Sequence, residues 1–194
     1  MNVYSTSSLL ASLLCFVVSG ISVYTRKTTS HIALAGTTFL VAGWSLFPYL
    51  NTVIDNSGAR LIVSRILYMV AAPAPFFFLF LTYSILDTPP SRFERIGINC
   101  CKLLSLFFAA LAFHPMFITS IGQNGITRYI VPGYLYITFV IYFFLTCSWS
   151  FIRMIIEYPK TKGLKRNQLK YFFGGFAIAY IGGGDSFFGG VSKV

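Results

Sequence analysis

Charged residues are scarce in this sequence, and their absence is concentrated in long stretches. Only 10% of the 194 residues are Asp, Glu, Lys or Arg, whereas about 25% is usual in a soluble domain. Five stretches contain none of them: 1–25, 28–54, 66–86, 103–127 and 129–152. Each is long enough for the roughly 20 apolar residues that cross the hydrocarbon core of a bilayer. A soluble globular fold is therefore excluded, and a membrane protein is predicted.

The charge-free stretches predict an all-α fold, a polytopic transmembrane helix bundle that occupies the whole chain, 1–194. The six predicted spans lie at about 6–25, 32–51, 62–86, 103–121, 132–155 and 167–186. The sixth reaches span length only if Lys170 snorkels to the membrane surface. The first lacks a basic segment ahead of its apolar run, so a cleaved signal peptide is the less favoured interpretation.

Lys and Arg are distributed unevenly between the two sides of the predicted bundle. Eleven of the fifteen lie in or beside the links that follow helices one, three and five. The positive-inside rule places those links in the cytoplasm and the N-terminus outside. The net charge of +10 is therefore mainly a topology signal. Nucleic-acid binding is not expected, because the charges share no soluble face.

Side chains that commonly take part in catalysis are also scarce. The sequence has two histidines and five acidic residues, and no acid lies near the centre of a predicted helix. No His/Cys cluster has metal-ligand spacing, and neither an HExxH nor a GxSxG motif occurs. The glycines near residue 180 lie within an apolar helix, not between a strand and a helix, so they do not form a nucleotide loop. The sequence predicts no enzymatic activity, no metal and no cofactor for this chain.

Ionisable residues near the outer ends of the predicted helices are the candidates for a ligand site. Arg65 lies a few residues into helix three, His114 lies in the outer half of helix four, and Arg128 lies in the next outer link. Ionisable groups within spans commonly mark function. One interpretation is a shallow, outward-facing pocket that binds a ligand. The other is that Arg65 snorkels and His114 is hydrogen-bonded within the bundle.

Small residues and prolines mark two structural features. Gly175, Ala179 and Gly183 recur every four residues, which predicts a helix face packed closely on a neighbouring helix. A bent or mobile helix end is the alternative. Pro73 and Pro75 fall in the middle of predicted helix three, where each removes a backbone donor, and this predicts a kink. We expect the kink to be static; a hinge is the other interpretation.

Several segments, in order along the chain, resemble the N-terminal seven-transmembrane region of bacterial histidine kinases, which also occurs on some diguanylate cyclases. FLVAGWSLFPYL resembles the second helix of that region, with its tryptophan at Trp44. RILYMVAAPAPFFF resembles the third helix, in which Tyr68 precedes Pro75. RNQLKYFFGGFAIAYIGG resembles the beginning and glycine-rich body of the sixth. The matching positions at its beginning are Arg166, Gln168, Lys170 and Tyr171.

The resemblance implies a sensory input module in the bacterial cytoplasmic (inner) membrane, where the lipid bilayer surrounds it. It also suggests that a second copy of the chain is a partner, in a homodimer. The seventh helix and the cytoplasmic output domain of the family have no counterpart in the 194 residues. We therefore expect a chain truncated before the seventh helix and without its catalytic domain. A small transporter or channel, or a structural membrane subunit, is the alternative. A transporter would be expected to show paired mid-membrane sites in two repeats, and the sequence shows no such repeat.

Overall fold

The computed structural model describes residues 3–25, 28–86, 88–124 and 127–175, most of which are helical, so the predicted all-α class is confirmed. The helices are α1 Val3–Thr25, α2 Thr29–Val53, α3 Ser57–Ala71, α4 Ala74–Leu86, α5 Arg92–Leu111 and α6 Tyr134–Glu157. Strands β1 Ile118–Asn124 and β2 Thr127–Pro132 lie between α5 and α6. A 3₁₀ turn, Tyr158–Lys160, follows α6. Residues 163–175 are again helical, and we call them the last segment.

Much of this bundle consists of helices that are long and apolar enough to cross a membrane. Within the described residues, four helical stretches are long and apolar enough to cross a bilayer: Ser5–Thr25, Thr29–Phe47, Ser57–Leu86 and Tyr134–Lys160. They correspond to predicted helices one, two, three and five. The predicted sixth span is described only as far as residue 175. A count of six spans and an outside N-terminus stay predictions.

Buried serines hold α1 against α2. Ser12 Oγ donates to the Ala42 carbonyl at 2.8 Å, and Ser19 Oγ donates to the Ala35 carbonyl at 2.9 Å. Both serines are buried, as is Ser5, seven residues before Ser12. Helices in lipid associate through close van der Waals packing and interhelical hydrogen bonds, since no hydrophobic force drives them together. The serines that recur every seven residues along α1 therefore pack closely against the small residues of α2.

The predicted third span is interrupted at its prolines. α3 ends at Ala71 and α4 begins at Ala74, so that Pro73 lies in the break and Pro75 is the second residue of α4. The two prolines remove the backbone donors that would pair with the carbonyls four residues earlier. Regular pairing resumes when Phe77 N donates to the Pro73 carbonyl at 3.0 Å. The interruption lies where the sequence predicts a kink; the bend angle itself stays a prediction.

The fourth predicted span, 103–121, is wrong in both of its bounds. The helix begins earlier, at Arg92, and ends at Leu111, after which the chain turns and enters β1 at Ile118. Pro115 is the physical reason for the early end, because it has no N–H and disfavours the α-helical region at His114. Apolar content alone does not distinguish the two structures, so a charge-free run of this length predicts a single helix.

The second half of that run is an antiparallel hairpin. Ile121 pairs with Ile130, and Asn124 pairs with Thr127. Isoleucine and threonine occur in both strands and valine occurs in β2, and β-branched side chains favour strands. Asn124 and Gly125 form the Asn-Gly pair that is the strongest short-range hairpin signal. The sequence therefore contained the evidence for the hairpin, within a region that its hydrophobicity assigned to the membrane.

A capping box fixes the beginning of α5. Ser91 Oγ accepts from Glu94 N at 3.3 Å, and Ser91 N donates to Glu94 Oε2 at 2.8 Å. This reciprocal pair satisfies backbone donors that the first helical turn leaves open. The Ser-x-x-Glu spacing explains why the helix starts at Arg92, well before the predicted span that begins at 103, and includes charged residues.

The beginning of α6 lies unusually close to the turn before β1. Gly133 N donates to the Phe117 carbonyl at 3.0 Å, and Leu135 N donates to the Met116 carbonyl at 3.0 Å. A Cβ atom added at Gly133 would overlap the Met116 carbonyl oxygen. Glycine is therefore required by a close backbone approach, which ties the hairpin to the start of α6.

Candidate functional site

The two ends of the bundle contain different structural elements. Ser30 Oγ, at the start of α2, donates to the Ser84 carbonyl near the end of α4 at 2.9 Å. Arg153 Nε, near the end of α6, lies 3.3 Å from Glu94 Oε1 in the first turn of α5. The links after α1, α4 and α6 therefore share one end, which we call the basic end. The β1–β2 hairpin and the α2–α3 link lie at the other, the hairpin end.

Arg65, a predicted ligand residue, joins α3 to the hairpin. Its Nη2 donates to the Ile118 carbonyl, the first residue of β1, at 2.9 Å. Its Nε is buried and has no hydrogen-bond partner among the described residues. A guanidinium has five N–H donors in a fixed fork. Arg65 therefore retains a buried donor while it holds the hairpin against the bundle.

The other two predicted ligand residues also lie at the hairpin end. His114 is exposed, and its Nδ1 accepts from Met116 N at 3.2 Å. Its carbonyl accepts from Phe117 N at 2.9 Å, so His114 closes the turn that leads into β1. Arg128 lies in β2, where its backbone is paired in register with Gln123. The structure thus places Arg65, His114 and Arg128 at one end, on or beside the hairpin.

Arg60 is a residue that the sequence analysis did not single out. Only 2% of it is exposed, and its guanidinium donates to the Ile54 carbonyl. Burying a charge is costly without hydrogen bonds or a charged partner. The only local signal is its position one turn after the α3 cap at Asn56, whose side chain accepts from Gly58 N and Ala59 N. Burial of Arg60 depends on tertiary packing that no short motif reports.

A buried aromatic cluster lies directly beneath the hairpin. The Tyr68 and Tyr136 hydroxyl oxygens are 3.0 Å apart and hydrogen-bonded. The Phe117 ring, which is fully buried, lies 5.8 Å from each tyrosine ring and 5.3 Å from Phe139. Edge-to-face contacts at these separations stabilise a core beyond simple area burial. The hairpin base is therefore packed onto both α3 and α6.

A polar cluster joins three helices at the basic end. The Tyr83 hydroxyl of α4 donates to Glu94 Oε1 of α5 at 2.9 Å. Arg153 of α6 contacts the same oxygen, lies over the Tyr83 ring at 5.4 Å, and has its Nη1 3.7 Å from Glu157 Oε1. Lys160 Nζ donates to Glu157 Oε1 at 3.0 Å. We call Tyr83, Glu94, Arg153 and Glu157 the basic-end cluster.

Glu94 is the electrostatic centre of this cluster. It lies in the first turn of α5, ahead of the predicted span. The Ser91 backbone N–H, which donates to it, lowers the pKa of its carboxyl, and the Tyr83 hydroxyl and the Arg153 charge act in the same direction. Hydrogen bonds and an opposite charge favour the ionised form. Glu94 is therefore held as a carboxylate. The sequence analysis missed the cluster, although the Ser-x-x-Glu capping box was readable.

A comparison with known protein families shows which family the chain belongs to. The family model described as the N-terminal 7TM region of histidine kinase matches residues 7–189. The chain belongs to this family. The resemblance inferred from Trp44, Tyr68 and the Arg166–Tyr171 segment is thus confirmed. No curated protein and no solved structure matches the chain.

The residues that carried the resemblance to the histidine-kinase 7TM region lie in two places, the aromatic cluster and the last segment. The Trp44 and Tyr68 rings are 5.6 Å apart in an edge-to-face contact within the aromatic core. In the last segment, the Arg166 guanidinium lies over the Tyr158 ring at 5.0 Å. Gln168, Lys170 and Tyr171 are exposed. The motif at the start of the sixth helix is therefore mainly a surface of the basic end.

The small-residue face of the histidine-kinase 7TM region is described only at its beginning. Gly175 is the last described residue, and a Cβ added there meets no described atom within 4 Å. Ala179 and Gly183 lie outside the described residues. Two phenylalanines of the last segment do contact the bundle, since the Phe172 ring lies 5.4 Å from Phe78 and the Phe173 ring lies 5.3 Å from Phe151. Close packing of the glycine face stays a prediction.

Proposed function

We propose that this chain is the membrane input module of a sensor histidine kinase, which receives a signal at the hairpin end and passes it to the basic end. The match of residues 7–189 to the N-terminal 7TM region of histidine kinase is the observation that carries the proposal. Phosphotransfer belongs, in this account, to the kinase domain to which such a region is joined. The chain itself contributes no catalysis and needs no cofactor.

The coupling between the two ends is proposed to run through α3–α4 and α6. α3 contacts the hairpin through Arg65 and Tyr68, and its continuation α4 contributes Tyr83 to the basic-end cluster. α6 contributes Tyr136 at one end and Arg153 at the other. A movement of the hairpin that shifts either helix changes the geometry at Glu94. Coupling of this kind needs a packed element with two arrangements that both sites bias.

The signal itself is proposed to be an anionic ligand. Arg65, His114 and Arg128 are three basic residues at the hairpin end, and Arg65 retains a buried donor without a described partner. Guanidinium groups bind carboxylates and phosphates through paired, charge-assisted hydrogen bonds. A neutral, apolar signal would not need this set of side chains.

The proposed setting is the bacterial cytoplasmic membrane, crossed several times, with the N-terminus and the hairpin end outside. The uneven distribution of Lys and Arg supports this orientation through the positive-inside rule. It places the basic end in the cytoplasm, where ATP and a kinase domain are found. A second copy of the chain is the proposed protein partner, because sensor kinases of this type are expected to work as dimers.

Autophosphorylation of a chimera tests the proposal. Residues 1–175 would replace the corresponding part of a histidine kinase of the same family, and phosphate incorporation would be measured in vesicles exposed to panels of small carboxylates and phosphate esters. We expect one anion class to change the activity, Arg65→Gln to weaken that response, and Ile62→Leu, an apolar change at an exposed position of the same helix, to leave it intact. No response to any panel, together with solute flux through liposomes containing the chain, would instead support the transporter alternative.

A further inference from the structure

An apolar groove lies between the end of α6 and the last segment. Its volume is about 250 Å³, and the described residues that line it are Met154, Ile155, Tyr158, Leu169, Lys170 and Phe173. Lys170 is the one charged side chain among these. The groove is therefore shaped for an apolar chain, with a cation at one position on its wall.

Positive charge surrounds this groove. From residue 158 to residue 184 the sequence has no Asp or Glu, whereas it contains five basic residues: Lys160, Lys162, Lys165, Arg166 and Lys170. The nearest acid, Glu157, already accepts from Lys160 at 3.0 Å and lies 3.7 Å from Arg153 Nη1. The region keeps a strong positive excess, which attracts anionic groups.

Two of these cations are placed at the groove. Arg166 and Lys170 are four residues apart, so they share one face of the last segment. The Arg166 guanidinium lies 5.0 Å from the centre of the Tyr158 ring, and Tyr158 lines the groove. Leu164 and Tyr171, which flank these residues, are 83% and 79% exposed. Exposed apolar and aromatic side chains among basic residues are typical of a surface at the membrane interface.

We propose that this groove binds one anionic phospholipid, with an acyl chain against Met154, Ile155 and Phe173 and the headgroup phosphate beside Arg166 and Lys170. The bilayer supplies the ligand, and basic pockets between transmembrane helices are known to suit anionic headgroups. The bound lipid packs between α6 and the last segment. The lipid composition of the membrane thereby affects how firmly the last segment is held to the bundle, independently of any signal at the hairpin end.

Native mass spectrometry of the full chain released from detergent micelles tests the proposal. The probes are phosphatidylglycerol and phosphatidylcholine with identical acyl chains. We expect a single phosphatidylglycerol adduct that is much stronger than the phosphatidylcholine adduct. Each basic group near a headgroup contributes a factor of about five in affinity, so Arg166→Gln with Lys170→Gln should weaken phosphatidylglycerol binding by roughly 25-fold.

Two further variants separate a built site from diffuse attraction. Arg92→Gln removes an exposed charge at the basic end, outside the groove, and should leave the adduct unchanged. Ile155→Trp keeps every charge but narrows the groove, and should reduce the adduct; Ile155 is 58% exposed, so folding should survive. If Arg92→Gln weakened the phosphatidylglycerol adduct as much as the double change at Arg166 and Lys170, a diffuse basic rim would be what binds the lipid. Equal binding of the two lipids, or no adduct on the parent chain, would also overturn the proposal.

Discussion

The Tyr83 hydroxyl and Glu94 Oε1 lie 2.9 Å apart, and their hydrogen bond joins the end of α4 to the first turn of α5. Arg153 reaches the same carboxylate oxygen from α6. Three helices, α4, α5 and α6, therefore meet at one carboxylate. In the proposed function, a change in the relative positions of these helices would change the charge contacts at Glu94.

Removal of the central carboxylate should destabilise the bundle more than removal of the Tyr83 hydroxyl. Glu94→Gln leaves Arg153 without its partner on α5, and loss of one member of a buried or half-buried charged pair costs about 1–3 kcal/mol. Tyr83→Phe removes one hydrogen bond and should cost about 1 kcal/mol. Thermal unfolding in lipid nanodiscs measures both. Arg95→Gln, an exposed change on the same turn, is the matched control and should melt like the parent; equal melting of all three variants would exclude a structural role for the cluster.

The lowered pKa of Glu94 predicts a loss of stability in acid. A carboxyl whose pKa is lower in the folded state stabilises the fold at any pH above its unfolded pKa of about 4.3. That contribution is lost as the pH falls through the lower folded pKa. The melting temperature of the parent should therefore fall between about pH 5 and pH 3 by more than that of Glu94→Gln. Parallel pH profiles for the two proteins would show that the Glu94 pKa is not linked to folding.

The paired hydroxyls of Tyr68 and Tyr136 should show strong coupling. Each single change to Phe leaves the other buried hydroxyl without this partner, at a cost of about 1–3 kcal/mol. The double change removes both groups and should cost less than the sum of the two single changes. A double-mutant cycle of unfolding free energies measures the difference. Additive costs would mean that the 3.0 Å contact contributes nothing to stability.

Gly133→Ala should destabilise the protein because its new Cβ overlaps a backbone carbonyl, which cannot rotate away. We expect a loss of more than about 2 kcal/mol, or displacement of the start of α6 from the hairpin. Gly20→Ala is the control, since a Cβ at Gly20 in α1 meets nothing within 4 Å. That change should be neutral or should stabilise the helix by up to about 1 kcal/mol. Similar melting of the two variants would contradict the close approach.

The positions of most long helices could be predicted because charge marks their limits. The run that ends before Arg153 predicts a span at 132–155, and α6 covers Tyr134–Glu157. The same argument failed where apolar sequence continued past a structural break. Pro115 and the Asn124–Gly125 pair indicate that break, but hydrophobicity alone does not weigh them. Local turn chemistry, and not the length of the apolar run, therefore sets the end of α5.

The candidate site was predictable in its location and not in its contacts. Topology alone puts Arg65, His114 and Arg128 at one end. The Arg65–Ile118 hydrogen bond joins residues 53 positions apart, and burial of Arg60 depends on the same tertiary packing. The basic-end cluster was missed for a similar reason, because Tyr83, Glu94 and Arg153 come from three helices. Only the capping box at Ser91 gave a local indication that Glu94 has a fixed position.

The most direct test of the account is whether the hairpin end controls the basic end. A trifluoromethyl label would be attached at Arg92→Cys, in a background with Cys15→Ser and Cys100→Ser, and observed by fluorine NMR in nanodiscs. Arg65→Gln, which releases the hairpin from α3, should change the populations of the label resonances, and Ile62→Leu on the same helix should not. The effect should disappear when Glu94→Gln is added. Identical spectra for the parent and Arg65→Gln, with both proteins folded, would contradict coupling between the two ends.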